Sequence, residues 1–202
     1  MALDLLPFGP LTPRSVHLCV DMQRLFLAET PWHTPWAERV LPIVGRIAER
    51  HPDRTIFTRF IPPRSPDDLP GSWRRFYERW RELTRDRVDP ALLELAPSLA
   101  ALAPPALVID KPVYSPFTGA RLLDTLRERQ ADALVVTGAE TDVCVLATVL
   151  GAVDYGYRVV IARDAVCSSS DQTHDSLLGL YAGRFSQQVE VAESETILRC
   201  WM

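Results

Sequence analysis

Short runs of branched apolar residues alternate with longer amphipathic stretches along most of the chain, a rhythm that a parallel sheet with crossover helices accommodates. Strands are expected at 15–21 (SVHLCVD), 54–59 (RTIFTR), 106–110 (ALVID), 132–138 (DALVVTG), 157–162 (YRVVIA) and 186–191. Helices are expected at 36–50, 119–129, 142–155, 171–184 and 193–199. Runs such as LVV and VVIA have no polar face, so the sheet must be covered on both sides. The expected fold is α/β: a three-layer α/β/α sandwich around a doubly wound, mainly parallel six-stranded sheet.

One segment breaks the rhythm. Between about 61 and 105 the chain runs through IPPRSPDDLPG, an Arg- and aromatic-rich SWRRFYERWRELTRDRV and a short LLELAP. At 202 residues the chain is sized for one α/β domain, so this segment is expected to be an insertion into that domain. Trp73, Phe76, Tyr77 and Trp80 recur at helical spacing among arginines. Such a helix either packs its aromatic stripe on the body or forms a lid or subunit contact over a site at the strand ends.

Charge and cysteine usage exclude several classes. The net charge is -4, which gives no general attraction to nucleic acid or to an anionic membrane. The opening MALDLLPFGPLTPRS carries three prolines and no basic stretch ahead of its short apolar run, so no secretory leader is expected; no uncharged apolar run reaches ~18 residues, so no membrane span is expected either, and a cytoplasmic location follows. Cys19, Cys144, Cys167 and Cys200 show no C-x-x-C spacing, so neither a zinc site nor a disulfide framework is expected.

Lys111 is the only lysine among 22 basic residues. Arginine cannot replace lysine where a compact point charge is needed, so its neighbours matter. In a doubly wound sheet, residues at the carboxyl ends of different strands converge. Strand one ends at Asp21, strand three at Asp110 and Lys111, and strand four in TGAETDVC, with Cys144 in the first turn of the next helix. A cysteine at a helix amino terminus beside a cation is expected to have its thiolate favoured. Amides from Glu140 to Cys144 would receive an oxyanion, with Thr141 or Asp142 capping the helix. Asp21 would shuttle the proton.

Taken singly, each signal is weak, because an aspartate at a strand end is usually a turn residue and a cysteine at a helix start usually a small packing residue. Their coincidence at three strand ends is what points to catalysis. The histidines offer little competition: His17 lies within strand one, His33 in the loop after it, His51 past a helix and His174 in a late first turn. A Cys-His pairing through His33 or His174 stays open beside the acid-lysine-thiol arrangement.

The runs DMQ, KPVYSPF, GAETDVCVLAT and AVDYGYRVVIARDAVCSS resemble the isochorismatase-like cysteine hydrolase superfamily, which includes nicotinamidases, N-carbamoylsarcosine amidohydrolases, biuret hydrolases and isochorismatases. The resemblance runs from about residue 14 to the end, outside 61–105. It implies a catalytic triad of Asp21, Lys111 and Cys144, an oxyanion hole from the amides of Glu140 and Cys144, a cis peptide between Ala139 and Glu140, and a homodimer or homotetramer. Nicotinamidases carry an Asp-x-His metal element after the second strand, where this chain reads TRFIPPRS, so neither metal nor cofactor is expected.

The function these observations favour is cleavage of a C–N bond in a small carboxamide or ureido substrate through a thioester acyl-enzyme. Alternatives are vinyl-ether hydrolysis of the isochorismatase type, a nicotinamidase, or a non-catalytic oligomeric module. Candidate substrate contacts are Gln23, Phe26, Trp73, Tyr77, Tyr114 and Phe117, with Trp80 from the insertion also available. Arg59 or an insertion arginine could hold a substrate carboxylate by a two-point contact.

Overall fold

A computed structural model describes residues 5–201. The reading of the amino terminus as lacking a leader begins on residues 1–4, which lie outside the described residues. Six strands, β1 (Val16–Val20), β2 (Thr55–Phe60), β3 (Leu107–Lys111), β4 (Ala133–Ala139), β5 (Arg158–Cys167) and β6 (Val189–Ala192), form one sheet in the order β3-β2-β1-β4-β5-β6. All neighbouring pairs are parallel. The helices are α1 (Arg24–Leu27), α2 (Ala37–Arg50), α3 (Ser72–Arg79), α4 (Pro97–Ala100), α5 (Ala120–Glu128), α6 (Cys144–Asp154), α7 (Asp171–Gly183) and α8 (Ser194–Cys200). Among the described residues no helix is long and apolar enough to cross a membrane.

Every residue of β1 is buried, so its alternation does not separate polar from apolar but assigns side chains to two cores. Val16, Leu18 and Val20 join Leu122 and Leu126 of α5, Val145 and Val149 of α6, and Tyr181 of α7. Cys19 faces the other way, with Phe57 and Val135, against Val44 and Ile47 of α2 and Ile197 of α8. The three-layer sandwich follows directly from this two-sided burial.

β5 extends well past the expected 157–162. Its pairing with β4 shifts register between Val136 and Gly138 and then resumes as Gly138↔Val166 and Ala139↔Cys167. Gly138, at φ 106°, is the residue that permits this: a Cβ there would lie 2.0 Å from the Val20 carbonyl oxygen. β4 and β1 therefore touch backbone to backbone at the point where strand order reverses, which is where such sheets place their ligands.

The 61–105 segment is zipped onto the exit of β1. Leu95 bridges Gln23, the Arg24 amide donates to the Glu94 carbonyl, and the Ala96 amide donates to the Met22 carbonyl. LLELAP is not one helix: it joins the end of a 3-10 turn at Pro90–Leu93 to the start of α4, and Pro97, lacking a backbone donor, begins the second.

Candidate active site

Asp21 stands directly beyond β1 at φ 52°, a left-handed conformation that few residues other than glycine, asparagine and aspartate accept. β2 supports it there. The Asp21 amide donates to the Thr58 carbonyl, and the Thr58 hydroxyl donates to Asp21 Oδ1 at 2.6 Å. The second carboxylate oxygen lies 2.6 Å from Lys111 Nζ. Lys111 closes β3 with its side chain only 2% exposed, and its ammonium also donates to the Val113 carbonyl and to Cys144 Sγ, at 3.2 and 3.4 Å. One cation thus touches both the carboxylate and the thiol, with the Phe60 ring 4.9 Å away on another side.

The thiol does not behave as its place at a helix start suggests. Burial pushes Cys144 well above the usual thiol range, the Asp21 charge pushes it further, and Lys111 opposes both without prevailing. Burial alone would push the Lys111 ammonium down, but the combined attractions of Asp21 and Cys144 leave it raised. Burial and the Asp21 charge thus favour the thiol form of Cys144, opposite in direction to what a helix start beside a cation suggests.

Cys144 is the first residue of α6, preceded by a turn in which the Glu140 carbonyl accepts from the Val143 and Val145 amides. The Ala139–Glu140 peptide is cis. Neither Thr141 nor Asp142 caps the helix. Both reach sideways instead: Thr141 Oγ1 lies 2.8 Å from His174 Nδ1, and Asp142 accepts from Ser168 and Thr173. His174 is thereby engaged with Thr141. His17 is held inside the sheet between Thr55 and Thr137.

A cavity of about 210 Å³ has Cys144 in its wall, together with Phe26, Trp32, Phe60, Phe76, Trp80, Tyr114, Glu140 and Val143. Of the sequence candidates, Phe26, Tyr114 and Trp80 line it. Gln23 does not: it is fully buried, its amide donating to the Phe60 and Leu93 carbonyls and accepting from the Phe60 amide. It fastens the insertion to β2, which is a structural role. Phe117 is likewise corrected, since its ring packs on Tyr155 and on Gly151 of α6, where a Cβ would meet it at 2.7 Å. Trp73 stacks on Tyr77 and packs against Tyr114 outside this cavity.

Tyr77 is buried beneath the cavity's aromatic wall, its hydroxyl without a hydrogen-bond partner among the described residues. Trp32, Phe60 and Val143 went unnoticed in the sequence. Phe60 had a signal, since it is the last residue of the strand beside Asp21. Trp32 sits in a loop whose path only the fold reveals. Arg59, a candidate anion holder, is paired with Asp110 through two bonds of 2.8 and 3.0 Å and with Glu94 at 2.6 Å.

Beyond β2 the residues are Ile61, Pro62, Pro63 and Arg64, and among the described residues no three His, Cys, Asp or Glu side chains are grouped to hold an ion.

Comparison with known proteins agrees with this geometry. The Isochorismatase domain family model matches residues 15–193. An uncharacterised isochorismatase family protein of Bacillus subtilis (strain 168) is 37% identical over 86 residues, 43% of this chain and 47% of that protein, so the chain spans about half the length of this curated relative. A cysteine hydrolase from Pseudomonas syringae pv. phaseolicola 1448A superposes with a TM-score of 0.78 at 25% identity, covering 98% of this chain and 97% of that one. A nicotinamidase from Bacillus subtilis shares the fold at a TM-score of 0.72 and 24% identity, over 89% and 99% of the two chains. With the family model spanning nearly the whole α/β body and the same architecture recurring in these hydrolases, the chain belongs to the isochorismatase family.

Proposed function

We propose that this protein is a metal-independent cysteine amidohydrolase that cleaves a C–N bond of a small carboxamide or ureido substrate. The observation that carries the proposal is the bridging ammonium, Lys111 Nζ, 2.6 Å from Asp21 and 3.4 Å from Cys144 in the wall of the aromatic cavity. A vinyl-ether hydrolase has no need of a thiol there. The names of the similar hydrolases favour the same chemistry.

The contacts that join Asp21, Lys111 and Cys144 suggest the order of events. Asp21 removes the Cys144 proton as sulfur attacks the amide carbonyl, and Lys111 offsets the charge that passes between them. The carbonyl oxygen becomes an oxyanion received by the amides of Glu140 and Cys144. Asp21 then returns the proton to the departing nitrogen, the C–N bond breaks, and the acyl group stays on sulfur as a thioester. Asp21 next takes a proton from water, whose oxygen attacks the thioester carbonyl, and returns that proton to sulfur as the C–S bond breaks and the acid leaves. The apolar walls keep bulk water from weakening the ion pair. A cytoplasmic homodimer or homotetramer is part of the same proposal.

Ammonia release from a panel of carboxamides, carbamoyl amino acids and biuret, with Cys144→Ala as the blank, tests it. The expected result is turnover that vanishes in Cys144→Ala, together with an acyl adduct on the peptide carrying Cys144. Retained ammonia release in the variant would overturn the acyl-enzyme mechanism, and no ammonia from any member of the panel would overturn the amidohydrolase reading.

A further inference from the structure

We infer that the substrate of this site carries an anionic group, a carboxylate at the end away from the scissile amide, and that Arg75 and Arg79 of α3 receive it. The inference rests on the amidohydrolase reading for the reacting end and on a second cavity for the far end. That second cavity, of about 660 Å³, is lined by Ser72, Trp73, Arg75, Phe76, Arg79 and Tyr114. Phe76 and Tyr114 also belong to the wall of the Cys144 cavity, so the two spaces adjoin across one pair of rings.

The charge pattern is one-sided. Arg59, Arg64 and Arg74 each have a carboxylate within ion-pairing distance, whereas among the described residues neither Arg75 nor Arg79 does. No acidic residue lines the second cavity. The two arginines are four residues apart, on one face of α3. Arg79 lies 5.1 Å over the ring of Trp80, itself in the wall of the Cys144 cavity, so one cation rests against the catalytic chamber. Planar guanidinium groups bind carboxylates through paired N–H donors, and the Ser72 hydroxyl supplies a further donor.

Arg59, the other cation near the strand ends, is already paired with two carboxylates, Asp110 and Glu94. A substrate with its amide at Cys144 and an apolar middle between Phe76 and Tyr114 would therefore bring its far end among unpaired cations. A neutral amide of the same length would leave them in water.

The test pairs succinamate, glutaramate and adipamate with butyramide, valeramide and hexanamide, in wild-type protein and in Arg75→Gln/Arg79→Gln. Calorimetry of the same acids binding to Cys144→Ala, with and without the arginine changes, gives a readout that needs no turnover. The expected result is an advantage of about tenfold or more in kcat/KM for one acid over its neutral partner, expressed mainly in KM. That ratio should fall toward one in the double arginine variant, and acid binding to Cys144→Ala should weaken in parallel. Neutral amides hydrolysed as well as the acids, with no arginine-dependent binding, would overturn the inference and leave the amidohydrolase reading standing. Arginine-dependent binding without hydrolysis of any amide would keep the anion site and overturn the reading of the chemistry.

Discussion

The Thr58 hydroxyl donates to Asp21 Oδ1 at 2.6 Å and so leaves the other carboxylate oxygen to Lys111. A threonine on β2 thereby decides which edge of the carboxylate faces the cation. Thr58→Val keeps the volume and removes the donor. A hydrogen bond to a charged group is worth about 1.5–3 kcal/mol, so kcat should fall roughly 10- to 100-fold. The loss should fall on kcat with KM little changed and should be largely restored in Thr58→Ser, which keeps the hydroxyl, a rescue that a change in packing alone would not give. An unaltered kcat would reduce Thr58 to a filler.

Lys111 and Asp21 form a buried pair, 2% and 0% exposed, and the two should fail differently alone and together. Lys111→Met strands a carboxylate away from water, which costs about 3–5 kcal/mol. Adding Asp21→Asn removes the stranded charge and should restore much of that loss in urea unfolding, although neither variant should turn over. Lys111→Arg keeps the charge but not the size, and a displacement near 1 Å can cost on the order of 100-fold in rate. Normal turnover by Lys111→Arg would make the lone lysine an accident of composition.

For Cys144 the direction of the shift gives a reactivity test. Its thiol is raised, by burial first and then by the Asp21 charge, so the thiolate fraction at neutral pH lies below that of an ordinary cysteine. Iodoacetamide labelling of the Cys144 peptide should keep rising through pH 9, beyond the levelling expected of a thiol with a pKa of about 8.5. Asp21→Asn should move the profile to lower pH, because it removes a repelling charge and leaves Lys111 in place. A plateau near neutrality in the wild-type protein would mean that the thiolate is formed at rest.

How much of this was legible in the sequence varied with the physics involved. The sheet was readable because continuous apolar strands such as Leu134–Val136 have no alternative burial, and most helix and strand bounds fall close to their expected places, β5 being the main exception. Asp21, Lys111 and Cys144 could be placed near one another because parallel topology brings strand ends together. Their charge state could not. It depends on how completely the surrounding rings exclude water, and Trp32 and Phe60 contribute to that from a loop and a neighbouring strand. Gln23 and Phe117 misled for a related reason: proximity in sequence to a reactive residue does not say which way a side chain turns. The register shift at Gly138 was equally hidden, since glycine marks a break without saying whether the partner strand continues past it.

His17 offers a prediction about stability that is independent of turnover. The ring is fully buried, with its two nitrogens 3.2 and 2.8 Å from the hydroxyls of Thr55 and Thr137. Burial, helped by the charge of His51, lowers its pKa from 6.5 to about 3. Between these values the unfolded chain binds a proton that the folded chain refuses, so the native state loses stability as the pH falls from about 6.5 toward 3. At pH 4.5 the loss from this one group should be about 3 kcal/mol. Carboxylates also titrate in that window, so the measurement is a difference: urea unfolding at pH 7.5 and pH 4.5 for the wild-type protein and for His17→Gln, which occupies the site without titrating. The variant should be less stable at pH 7.5, because glutamine fits the two threonines imperfectly, but should lose less on acidification. Parallel losses in the two proteins would mean that His17 is already charged within the fold, or that its site admits water.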